Sequence, residues 1–141
     1  MDANTDVTAV IATAKAWCDA DPDPVTQAQL RARIEAASAV IERNGDYNDA
    51  ESEPEAVAAL RACFEPALDF GTAGLRGLNG PGPAHMNQRL VARVTAVMVD
   101  VLRAEVPDAG ERGVVIGHDA RHGSAELAET TARTVAGAGL N

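Results

Sequence analysis

The sequence predicts an α/β chain in which a helical N-terminal extension leads into an incomplete α/β domain. Three observations carry that prediction. Apolar residues recur at helical spacing through the first half and again in two later segments. One continuous β-branched run, "VVIG" at 114–117, reads as a strand buried on both faces. A glycine-rich loop follows the first strand candidate of the second half, "LDF", and a polar turn follows the second. The expected boundary lies between an extension, 1–67, and a domain, 68–141.

Residues 7–19 place Val7, Val10, Ile11, Ala14 and Trp17 on one helical face. "DPDP" then breaks the chain, with Asp23 as N-cap and Pro24 at the first helical position. The second helix, about 24–43, carries Leu30, Ile34, Ala37 and Ile41. "RNGDYND" reads as a turn. Ser52 and Glu55 have capping-box spacing and open a third helix, about 53–64, with Val57, Leu60 and Phe64. "LDF" makes a short strand into "GTAGLRG", and "LNGPGPAH" is a Gly/Pro-rich loop. Asn87 can cap a helix over 88–105, striped by Leu90, Val91, Val94, Val97, Met98, Val101 and Leu102. After the "VVIG" strand and the turn "HDARHG", Ser124 caps a last helix, about 125–137, with Leu127, Thr131 and Val135.

A chain of 141 residues with a net charge of −9 excludes some partners. Residues 1–69 hold 14 acids and 5 bases, while residues 70–141 hold 7 of each. Nucleic acid is not expected on such a surface, because phosphate contacts need clustered bases. The neutral half, with its arginines, can still hold a small anion. Cys18 and Cys63 are far apart, which fits reduced thiols and a cytoplasmic location. No apolar run reaches the roughly 20 residues that span a bilayer, so no membrane partner is expected.

The "VVIG" strand needs neighbours, and the usual one follows a crossover helix. Here the helix ends at "GAGLN". The reading is therefore an N-terminal piece of a larger protein, cut within its first α/β domain. The competing reading is a small helical domain with one marginal strand.

In "FGTAGLRG", Gly71, Gly74 and Gly77 allow close backbone approach, and their N–H groups can converge on an anion. Thr72 adds a hydroxyl, and Arg76 a guanidinium suited to bidentate phosphate contact. Neither the Walker spacing nor a dinucleotide fingerprint is present. Taken alone, the glycines fit a plain turn better than a cradle. In "GHDARHGS", past the C-terminal end of the expected strand, Asp119 and Arg121 can brace the turn or reach a neighbouring loop. His118, Asp119 and His122 match no standard metal spacing, and His85 has no evident partner. No serine stands beside a base.

Together, "FGTAGLRG", a Gly-rich stretch with "MNQ", a long helix, and "VVIGHDARHGS" before a helix ending "AGAG" resemble the start of the α-D-phosphohexomutase family. These are the phosphoglucomutases and phosphomannomutases. The preceding "DPDP" extension resembles the branch of bacterial phospho-sugar mutases and phosphopentomutases. The resemblance covers 68–141 well and 17–67 loosely. It implies part of an α/β/α domain 1 in a four-domain enzyme, whose further domains would be partners of this one. It also implies phosphoryl transfer from a phosphoserine to a sugar phosphate, through a sugar bisphosphate, with Mg²⁺ stabilising the transferred charge. Arg76 would face the bisphosphate, with Thr72 and Gly74 shaping its loop. Asp119 and Arg121 would support the catalytic loop. The family's T-[AG]-S-H-N-P serine loop and D-G-D-x-D-R metal loop have no match in these residues, so the segment alone is expected to be inactive. His118 stands where an aromatic residue is common in this branch. The alternatives are a non-catalytic sugar-phosphate-binding module and an acidic helical interaction protein.

Overall fold

The computed structural model describes residues 7–44 and 53–141, in two compact units that meet in sequence at Asn87 and Gln88. In the first unit, α1 (Val7–Asp19), α2 (Pro24–Asn44) and α3 (Glu55–Arg61) pack on one another. The expected faces are the ones that meet. Val7, Val10, Ala14 and Trp17 of α1 join Leu30, Ile34 and Ala37 of α2 and Val57 and Leu60 of α3 in one core. Ile11 and Ile41 cover its edge. Each fully buried aliphatic side chain contributes about 1.5–3 kcal/mol by leaving water.

The break between α1 and α2 works as its residues dictate. Asp23 Oδ1 accepts from Val25 N–H at 2.9 Å, capping α2. Asp21 is buried because its carboxylate is used twice: Thr26 Oγ1 donates at 2.8 Å and Asp23 N at 3.1 Å. Helix α3 is shorter than the spacing predicts. It ends at Arg61, and Cys63 and Phe64 enter the core from the turn beyond. Phe64 meets Trp17 edge to face, with ring centroids 6.3 Å apart. The Ser52 half of the expected capping box and the "GDYND" turn lie outside the described residues. Cys18 and Cys63 are free thiols, both buried. Burial pushes the Cys63 thiol up, against the opposing pull of Arg33.

The chain then makes a short antiparallel hairpin. Strand β1 (Phe70–Gly71) pairs with β2 (Gly74–Leu75), with Phe70 opposite Leu75 and Gly71 opposite Gly74. The "LDF" strand thus folds back within "GTAGLRG" itself. Neither Thr72 nor Ala73 has a positive φ, so the left-handed step falls on Gly74 at φ 90°.

In the second unit, α4 (Gln88–Glu105) packs on α6 (Ser124–Gly137), with the one-turn α5 (Ala109–Arg112) between them in sequence. Three sequence expectations are corrected here. First, the buried residues of α4 are Thr95 and Val99, neither of them in the expected stripe, of which Leu102 packs partly buried against the same cluster as Val99. Val97, Met98 and Val101 are exposed. The apolar arc of α4 is wider than its contact with α6, and the contact uses one edge of it. Second, "VVIG" forms no strand among the described residues. Val115 is fully exposed at 100%, while Val114 and Ile116 pack against the cluster of Val99, Val135 and Leu140. A strand is defined by a ladder, and here only Val114 N donates outward, to Asn141 O at 2.6 Å. Third, Ser124 begins α6 rather than capping it. The cap is Gly123 at φ 80°, with no side-chain hydrogen bond. Among the described residues no helix is long and apolar enough to cross a membrane.

Candidate phosphate site and supporting turn

The hairpin closes over a recess of about 390 Å³, lined by Asp69, Gly71, Thr72, Ala73, Gly74 and Arg76. All three residues singled out in this loop, Thr72, Gly74 and Arg76, are therefore brought together. Arg76 is exposed and forms no ion pair among the described residues, so its guanidinium charge stands open to a ligand. A Cβ built at Gly74 would meet nothing within 4 Å, so the space before the turn is clear. Gly77 is a different case. A Cβ there would lie 2.7 Å from both Leu68 methyls, because the two feet of the hairpin touch. An open arginine and a hydroxyl in one recess are donors of the kind a phosphate accepts, while the Asp69 carboxylate on the same lining is an acceptor.

Sequence reasoning missed Asp69. Its Oδ1 accepts from Phe70 N at 2.7 Å, and it lines the recess facing the same space as Arg76. The signal available was only its place next to the motif.

Asp119 and Arg121 also come together, in the turn before α6. Arg121 Nε lies 3.1 Å from Asp119 Oδ2, and Arg121 N donates to Asp119 Oδ1 at 3.1 Å. Asp119 N donates to Ser124 Oγ at 3.3 Å. The Asp119 carboxyl is held below its ordinary range, first by the Arg121 N–H and then by the Ser124 hydroxyl, with smaller help from nearby positive charge. Both side chains are solvent-exposed, so the ion pair is a brace of the turn and a weak source of stability. The histidines divide. His85 Nδ1 lies 3.0 Å from Pro81 O and must carry the proton there, since a carbonyl only accepts. His118 Nδ1 lies 3.1 Å from Asp119 O. His122 is exposed. Among the described residues no three His, Cys, Asp or Glu side chains form a metal-binding group.

Comparison with known proteins bears on the same segment. Residues 67–141 match the family model described as phosphoglucomutase/phosphomannomutase, alpha/beta/alpha domain I. A probable phosphoribomutase of Schizosaccharomyces pombe is 42% identical over 116 residues, covering 82% of this chain and 17% of that protein. A phosphopentomutase of Homo sapiens is 40% identical over 62 residues, 44% of this chain and 10% of the relative. A phosphoglucomutase of Staphylococcus saprophyticus is 35% identical over 95 residues, 67% of this chain and 16% of the relative. The chain thus spans 17% or less of the length of these relatives. No solved structure matches. The matched model bears out the α/β class expected from the sequence.

Proposed function

Because the chain belongs to the phosphoglucomutase/phosphomannomutase family, through its α/β/α domain I, we propose that it supplies one phosphate-facing wall of a phospho-sugar mutase. The parent enzyme moves a phosphoryl group between positions of a sugar. A serine O–P bond breaks as a sugar O–P bond forms, and the resulting bisphosphate returns its other phosphoryl group to the serine. Arg76, at the mouth of the hairpin recess and without an ion-pair partner among the described residues, is the observation that carries this reading.

In this reading Arg76 grips the phosphate through paired N–H donors, and the backbone around Thr72 and Gly74 closes around it. Asp119 and Arg121 hold their turn in one shape, so that it can support the loop carrying the serine. The helical extension, with α1, α2 and α3, anchors the segment entering the hairpin. Magnesium, which in such enzymes offsets the charge of the transferred group, finds no matching ligand cluster among the described residues. No step performed by this chain runs through it. Two buried free thiols suit the reducing cytoplasm.

The test is ligand selectivity. Glucose 1,6-bisphosphate should shift the amide resonances of Thr72, Gly74 and Arg76 in the 141-residue chain, and glucose should not. Equal responses to both would remove the phosphate reading. The same polypeptide should convert no glucose 1-phosphate to glucose 6-phosphate, and measurable conversion would contradict the assignment of the serine to another part of the enzyme.

A further inference from the structure

The Gly/Pro loop after the hairpin has more structure than its composition requires, and one side chain organises it. Asn87 is 3% exposed. Its Nδ2 lies 2.9, 2.7 and 3.0 Å from the carbonyl oxygens of Gly80, Gly82 and His85 and shares its two protons among them. Those carbonyls lie along a loop that is also closed by backbone bonds, among them His85 N to Gly82 O at 3.3 Å. The loop in turn holds both feet of the hairpin. On the entering side, Leu68 N donates to Pro83 O at 2.9 Å. On the leaving side, Met86 N donates to Leu78 O at 2.8 Å, and Gly80 N to Met86 O at 3.1 Å. Asn79 and Met86 make an isolated parallel bridge.

The loop is also fixed to the helical core. Ala84 N donates to Cys63 O at 3.0 Å. Gly82, at φ +84°, approaches so closely that a Cβ would fall 2.1 Å from Cys63 O. Arg33 Nη1, from α2, donates to Cys63 Sγ at 3.1 Å. A continuous set of bonds therefore runs from the helical core to the loop, and from the loop to the residues on either side of β1 and β2. The Asn87 side chain ties three of the loop's carbonyls together.

We propose that Asn87 is a positioning residue for Arg76. It touches no ligand. By holding Gly80, Gly82 and His85 in one arrangement, it keeps Leu68 and Leu78 at the separation that lets the hairpin close and sets the direction of Arg76. The inference rests on the reading of the recess as a phosphate site. A buried donor that serves three acceptors is costly to remove: the Gly80 and His85 carbonyls lose the donor seen on them, and Gly82 O keeps only the longer bond from His85 N at 3.3 Å.

The experiment compares Asn87→Asp and Asn87→Ala in the full 141-residue chain, with glucose 1,6-bisphosphate as probe. Asn87→Asp keeps the shape but, when ionised, presents acceptors to acceptors. Three readouts are taken: bisphosphate affinity, nuclear Overhauser contacts between Leu68 and Gly77 and between Phe70 and Leu75, and Trp17 fluorescence as a report on the helical core. The expected result is affinity weakened by roughly tenfold or more and weakened hairpin contacts, with Trp17 emission unchanged. Unchanged affinity and contacts in both variants would overturn the proposal. Loss of the Trp17 signal in both would also overturn it, since Asn87 would then be a general requirement of folding. If the unmodified chain binds no bisphosphate, the phosphate reading fails, and the hairpin contacts alone still decide whether Asn87 positions the loop.

Discussion

At the scale of single residues, the two loops differ in what their charges do. Arg76 has no ion-pair partner among the described residues and lines a recess, whereas Arg121 is satisfied locally by Asp119. The Asp119 carboxyl is lowered chiefly by a backbone N–H, so Arg121→Ala should leave most of its shift in place. Ser124→Ala should raise it toward the ordinary carboxyl value, as followed by the Asp119 side-chain resonance during a pH titration. A folded-state value below the unfolded one means that the stabilising contribution is present above the ordinary carboxyl range. It is lost as pH falls through the folded value. A larger effect of Arg121→Ala than of Ser124→Ala would show that the ion pair, not the hydrogen bonds, sets the shift. Arg76 was legible in the sequence because a lone arginine among closely spaced glycines is chemically distinctive. The clamp made by Asn87 was not, because its partners are backbone carbonyls brought together only by loop closure. No periodicity encodes that.

At the scale of elements, α1 and α2 were legible because each carries one narrow apolar face, and that face is what the core accepts. Helix α4 was legible as a helix but not in its rotation. Its apolar arc includes Val94, Val97, Met98 and Val101 as well as Val99 and Leu102, and only the contact with α6 selects among them. Val99 is 2% exposed and Val97 63% exposed. Val99→Ala should therefore lower the stability of the second unit by about 2 kcal/mol. Val97→Ala should change it by less than about 0.5 kcal/mol. Urea unfolding followed by circular dichroism measures both, and equal losses would contradict the observed rotation. "VVIG" has strand composition without strand structure. Composition reports the preference of a segment, while a ladder also requires a second segment in register.

At the scale of the whole molecule, the two motifs that identify the family fall in separate units, "FGTAGLRG" in the first and "GHDARHGS" in the second. Each has its own support. The hairpin is held through the Gly/Pro loop on a helical core, and the Asp119 turn precedes α6, which packs on α4. The family match covers 67–141, so it takes in both motifs, while α1, α2 and α3 precede it. That arrangement is consistent with a helical base supporting the hairpin, and it places the central claim on one side chain. The direct test is calorimetric titration of the 141-residue chain with glucose 1,6-bisphosphate, for the unmodified protein, Arg76→Lys and Arg76→Ala. The account predicts saturable binding by the unmodified chain, weaker binding by Arg76→Lys because the paired N–H fork is lost, and none detectable for Arg76→Ala. Binding of undiminished affinity in Arg76→Ala would contradict it.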